Sequence, residues 1–208
     1  MSPAAKRWLG ILGAAFAAPA LLAGCATSQL VSQQANPDYV GKHFKSVMVV
    51  AVTSDDLVRR TFEDRMVVLL AKRGAKGIPA YDAIGSRGQI EEAEVRKAVA
   101  RSGAEGVLVT RVTRIDRSSG TVPGATVYLG VGGGFYGYYS TVWDAVNIAP
   151  EKITGPSWTV SETRLFDARN GALAWTGVMD TRENDDLSAA LTQYIEVIFD
   201  AMVSDRVL

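Results

Sequence analysis

Chemistry has few places to sit in this chain. Among 208 residues there is one histidine, His43, and one cysteine, Cys25. A general base needs a nucleophile within hydrogen-bond reach, and nothing near His43 in sequence supplies one. A lone thiol excludes an intramolecular disulfide, a Cys-rich zinc site and a CxxC redox pair. A lone imidazole excludes a His-rich metal site. The carboxylate pairs Asp55-Asp56 and Asp185-Asp186 could hold a cation through oxygen ligands. Each pair precedes an apolar-periodic stretch, however, where helix capping explains it more simply. Glu91, Glu92 and Glu94 stand at another helix start, where acids suit the positive end of the helix dipole. GxSxG, HExxH, SxxK and GxxxxGK[ST] are absent. The expectation is a protein without catalytic, cofactor-binding or metal-ligating residues, and not an enzyme.

Charge excludes a further class. The 22 basic and 22 acidic side chains balance to zero, and nucleic-acid binding needs a clustered basic footprint. Arg59, Arg60, Arg65, Lys72 and Arg73 share one predicted helix, but Glu63 and Asp64 interleave with them and make a mixed solvated face. With 48% apolar residues, the chain is long enough to bury a core of one medium domain.

The elements that would position any site follow from periodicity. Residues 45–52 form a continuous apolar run, as in a strand buried on both faces. Thr53, Ser54, Asp55 and Asp56 offer caps for a helix over 57–73, with Val58, Phe62, Met66, Leu69 and Leu70 on its apolar stripe. Arg59, Arg60, Glu63 and Asp64 are expected mostly away from that stripe, and Gly74 ends the helix. A short strand over 75–81, a helix opening at Glu91 and closing at Gly103, and a strand over 104–115 come next. Strand-like runs at 158–166 and 172–179 flank Asn170-Gly171, a strong turn signal. Leu187, Leu191, Tyr194, Ile195, Ile198 and Met202 mark a last amphipathic helix capped within 184–186. The order β-α-β-α-β-(insertion)-β-β-α predicts a single α/β (α+β) domain, three-layer-like, with helices covering a mixed sheet.

The insertion, residues 121–150, is the odd text. Its first 23 residues hold three consecutive glycines, four tyrosines, a phenylalanine and a tryptophan, with no charge before Asp144. Three readings account for it: a loop or hairpin packed on its own domain, a partner-binding flap, or a membrane-inserting hairpin. Tyr and Trp offer large contact area with a polar handle at low entropic cost. Val127, Tyr128, Phe135, Tyr136, Tyr138, Tyr139 and Trp143 are therefore the candidate partner contacts.

At the N-terminus, Lys6 and Arg7 precede an apolar stretch over 8–22, too short to span a membrane, and Leu22-Ala23-Gly24-Cys25 closes it. This segment resembles a bacterial lipoprotein signal peptide, and those four residues match its lipobox. The resemblance implies that residues 1–24 are removed and that Cys25 is acylated on its thiol (palmitate) and new amino group. Ala26, where an aspartate would signal retention, implies the outer membrane. The polar stretch after Cys25, through residue 43, reads as a flexible tether, with the domain at 44–208. That domain resembles the TolB amino-terminal domain, penicillin-binding-protein activators and the curli secretion lipoprotein. The likeness rests on the strand 47–52 with its helix, the strand after Gly103-Ala104, and the hairpin text Phe166-Asp167 to Trp175. The expected protein is a lipid-anchored, periplasm-facing accessory or scaffold subunit that binds another envelope protein. The alternative is a subunit of an oligomeric secretion channel that inserts residues 121–150 as a hairpin.

Overall fold

The computed structural model of the chain describes residues 28–84, 92–117, 120–122, 134–139, 157–182 and 186–208. The signal segment, Cys25, Val127, Tyr128 and Trp143 lie outside these residues. A mixed sheet organises the rest. Strand β2 (Ser46–Val52), second from one edge, pairs in parallel with β3 (Lys76–Pro79) on one side and β4 (Gly106–Arg117) on the other. Beyond β4 the pairing turns antiparallel, through β6 (Ser157–Asp167) and β7 (Leu173–Arg182) to β1 (Ser28–Ala35). The order is β1-β7-β6-β4-β2-β3, and the short β5 (Gly120–Val122) pairs with the far end of β4.

Val47, Val49 and Ala51 of β2 face a core built with Phe62, Met66 and Leu70 of α1 (Asp56–Lys72) and Ile195, Ile198 and Met202 of α5 (Leu187–Ser204). Met48, Val50 and Val52 face a second core, with Ala80 of α2 (Ala80–Ile84), Val95 and Val99 of α3 (Glu92–Ser102), and Phe135 and Tyr139 of a helical turn over 134–139, α4. Helices thus cover both faces, and the α/β class read from the sequence holds. Gly74 and Gly103 terminate α1 and α3 with φ of 79° and 68°, as the left-handed helix stop requires.

Two expectations need correction. Residues 28–35 are no tether: β1 pairs with β7 from Ser28↔Thr181 to Ala35↔Trp175. Asn36 continues the attachment, its N–H donating to Ala174 O at 2.9 Å, and Pro37–Tyr39 add a 3-10 turn. An edge strand with one partner leaves most side chains in water, so Ser-Gln-rich text serves as well as apolar text, and the backbone does the pairing. The second correction concerns α1, where Arg59 and Glu63 are 5% and 1% exposed. Glu63 Oε1 accepts from Ala51 N (3.1 Å) and Oε2 from Tyr81 N (3.0 Å). Where β3 gives way to α2, this carboxylate takes backbone donors from β2 and from the first turn of α2. Burial raises its pKa.

Two sites of close packing can be tested. A Cβ on Gly177 would come within 2.9 Å of Trp175 Cζ3. Trp175 is fully buried, with its indole N–H donating to Asp205 Oδ2 at 2.8 Å. Gly177→Ala is expected to cost about 1–3 kcal/mol by overpacking, read as a lower urea midpoint at unchanged m-value. At the β6–β7 turn, Asp167 is buried and accepts from Tyr39 Oη (3.2 Å), Arg169 N (2.9 Å), Arg169 Nε (3.0 Å) and Arg169 Nη2 (2.7 Å). The Arg169 side chain holds its carboxyl below the usual aspartate pKa. A depressed native pKa stabilises the fold above the ordinary value and loses that stabilisation as pH falls through the native one. Asp167→Asn should therefore cost about 1–3 kcal/mol at neutral pH. In paired thermal melts the gap between variant and wild type should close toward acid pH.

Candidate functional site

The ends of the sheet differ. At one end β2 stops, β6 starts, β7 stops and β1 starts, as the parallel and antiparallel pairings dictate. Helices α1 and α5 also begin there. Asp55 caps α1, its Oδ1 accepting from Leu57 N (2.9 Å) and Val58 N (3.0 Å). Asp186 caps α5, its Oδ1 accepting from Ala189 N at 2.9 Å. Between these two first turns and the sheet lies a cleft of about 410 Å³.

Its walls are apolar: Val52, Val58, Phe62, Val112, Leu187, Ala190 and Leu191. Its polar lining is hydroxylic. Tyr194 Oη accepts from Ser161 Oγ (3.1 Å) and bonds Thr163 Oγ1 (3.0 Å), while Thr110 and Thr163 bond each other. Thr53, Thr159 and Thr181 complete the hydroxyl set. Among the described residues no carboxylate, imidazole, thiol or ammonium lines this cleft. Arg111 and Arg182 border it, but both guanidinium groups are engaged elsewhere. Arg182 lies 4.7 Å over the Trp158 ring, and Arg111 pairs with Glu162. The rim is apolar and wet: Leu187 is 57% exposed and Val112 43%, and Leu57, beside Val58 in the first turn of α1, 73%.

Behind the cleft, on the other face of the sheet, sits a charged cluster. Glu162 is buried between two arginines, with Arg111 Nη2 at 3.2 Å and Arg164 Nη2 at 2.6 Å. Tyr138 Oη donates to Glu162 Oε2 at 3.1 Å and accepts from Arg111 Nε at 3.0 Å. Burial and the neighbouring carboxylate push the Tyr138 phenol up, so it stays protonated as a donor. Two cations against one anion hold α4 to the sheet by charge-assisted bonds.

The aromatic candidates divide accordingly. Phe135 and Tyr139 are buried, with the Phe135 ring 5.7 Å from Phe166 and 5.9 Å from Tyr139. Neither offers surface to a partner, so both are withdrawn as contact residues; an uncharged aromatic run reads alike whether it faces a core or a partner. Gly134 makes their placement possible. Its φ is +60°, and a Cβ there would stand 2.8 Å from Gly171 O. Tyr136, half-buried, has the Arg96 guanidinium 3.6 Å over its ring. Tyr138 is held by Glu162. His43 is exposed, Asp55 caps α1, and Asp56 pairs with Arg59 at 2.8 Å. Among the described residues no group of three or more His, Cys, Asp or Glu side chains is arranged to hold a metal ion.

The cleft was not read from the sequence. Its signal was present as Thr159 and Ser161 at period two on β6, with Thr163 behind them, and one tyrosine in the apolar stripe of α5. The charged cluster makes a measurable demand. Glu162→Gln leaves the buried Arg111 and the partly buried Arg164 without their carboxylate and should cost about 3–5 kcal/mol. Adding Arg111→Met should recover part of that loss in a double-mutant unfolding cycle.

No family model matches the chain, and no curated protein matches it. Among solved structures it is similar to the PelC dodecamer from Paraburkholderia phytofirmans, with 15% identity and a TM-score of 0.43 over 83% of this chain and 95% of that one. It is also similar to lipoprotein GNA1162 from Neisseria meningitidis, with 17% identity and a TM-score of 0.41 over 76% of this chain and 98% of that one. Likenesses this distant assign neither a family nor an activity.

Proposed function

We propose that the chain is a non-catalytic lipoprotein of the bacterial outer membrane. It faces the periplasm on acyl groups carried by Cys25 and acts as an accessory or scaffold subunit for another envelope protein. The observation that carries this reading is where β1 begins. Only Ala26 and Thr27 separate Cys25 from Ser28. Ser28 is already buried in the domain, its N–H donating to Gln193 Oε1 at 3.2 Å and its hydroxyl 3.1 Å from that of Thr181. Three residues span at most about 10 Å, so an anchor at Cys25 holds the domain directly on the membrane surface in a set orientation. A scaffold gains from that, because a partner bound to the domain is held at a fixed height and angle.

Residues 121–150 remain the proposed partner contact, now through Val127, Tyr128, Trp143 and the partly exposed Tyr136 and Tyr138. The anchor is tested by growing cells with labelled palmitate. Wild type should carry label and sediment with outer membranes; Cys25→Ser should carry none and leave the membrane fraction. Equal labelling or equal sedimentation of the two proteins would overturn the reading.

A further inference from the structure

The leash and the cleft lie at the same end of the domain. Thr181, the strand partner of Ser28, lines the cleft. If Cys25 holds the domain on a membrane, the cleft mouth lies at that surface, within the reach of three residues. We propose that this cleft takes one fatty-acyl chain of a phospholipid from the membrane beneath it. The inference rests on the anchoring proposed above.

The lining selects hydrocarbon. A peptide segment would bring backbone N–H and C=O groups that need partners when buried. The lining hydroxyls of Tyr194, Ser161 and Thr110 are bonded among themselves and to the buried Thr163. A charged group buried in the cleft would need a counter-charge. Among the described lining residues Arg111 is paired with Glu162, and Arg182, exposed and stacked on Trp158, keeps its charge where an anionic headgroup at the mouth could meet it. An acyl chain asks for neither. Volume agrees, since about 300–1,000 Å³ is usual for small-ligand pockets and the cleft has about 410 Å³. The rim agrees too, because exposed Leu57, Leu187 and Val112 would rest against lipid instead of water at this end.

The test uses the mature lipidated protein in vesicles of phosphatidylethanolamine and phosphatidylglycerol. They carry a trace of phosphatidylcholine with a diazirine midway along one acyl chain. After photolysis, label should concentrate in peptides containing Val58, Leu187 and Leu191. Ala190→Trp, which fills the cleft, should lower it at least fivefold. Should that ring disturb the packing of α5, Leu187→Asp at the exposed rim provides the same reduction with the core intact. Label spread over outward residues such as Val31 and Val68, or unchanged in both variants, overturns the proposal. Cleft label appearing only in Cys25→Ser protein added to the same vesicles overturns it as well, because the protein's own anchor chain would then be the occupant. Vesicle flotation separates the two readings. Flotation without cleft label sinks the cleft alone, whereas failure of the wild type to float sinks the anchoring and the cleft with it.

Discussion

Strand β2 has apolar side chains on both faces, and burying both is the constraint from which the architecture follows. All six residues from Val47 to Val52 are 4% exposed or less. A strand that must stay dry on both sides needs two covering layers. The chain supplies α1 and α5 on one face and α2, α3 and α4 on the other. Two parallel crossovers, β2-α1-β3 and β3-α2-α3-β4, begin to cover opposite faces. The antiparallel half, β6, β7 and β1, widens the sheet beyond what α1 alone can cover. Helix α5 closes that gap, but its first turn starts apart from that of α1, and the opening between them is the cleft. The hydroxyl lining follows from the same geometry. At this margin the face of β6 changes from Leu165, under the helices, to Thr163, Ser161 and Thr159. Ser161 and Thr163 find their partners in Tyr194 of α5, and Thr163 also in Thr110 of β4.

Buried charge serves each layer differently. Glu63 accepts from backbone N–H groups with Arg59 nearby, and burial raises its pKa because the ionised form loses solvent. Its worth lies in ending the β2 ladder cleanly where β3 turns into α2. Glu162 is instead surrounded by two guanidinium groups and a phenol. Such a cluster is a poor source of net stability compared with apolar packing. What it adds is direction: a fork of donors accepts α4 in one orientation, with Tyr138 toward Glu162 and Phe135 toward Phe166.

Legibility in the sequence tracked how far each element depends on its own side chains. β2, α1, α5 and the β6–β7 hairpin were readable because their periodicity, caps and turn residues are local. Asp55, Gly74, Gly103, Asn170-Gly171 and Asp186 stand where the text places them. β1 was not readable, since its pairing is made by backbone to β7 about 150 residues away and its exposed side chains need satisfy only water. The positions of Arg59 and Glu63 were misread for a related reason. A carboxylate two turns along a helix looks solvated until the neighbouring strand end, with N–H donors that lack partners, is known. The cleft escaped because it belongs to no single segment. Its lining comes from β2, α1, β4, β6, β7 and α5, and only the topology brings their ends together.

That convergence also separates the surfaces of the domain by task. β1 enters at the cleft end, while the turn that Gly134 packs against, at Gly171, lies at the opposite end of β6 and β7. The N-terminal leash and the first turn of α4 therefore meet the domain at opposite ends of the sheet. With the leash two residues long, the end bearing Leu57 and Leu187 is the one an anchor would turn toward the bilayer. The Gly171 end would then face away from it. A partner gripping the domain at the Gly171 turn and the start of α4 would meet it clear of the membrane, whereas Tyr138, at the other end of α4, lies behind the cleft on the opposite face of the sheet. One domain can then serve both contacts without either competing for the other's surface.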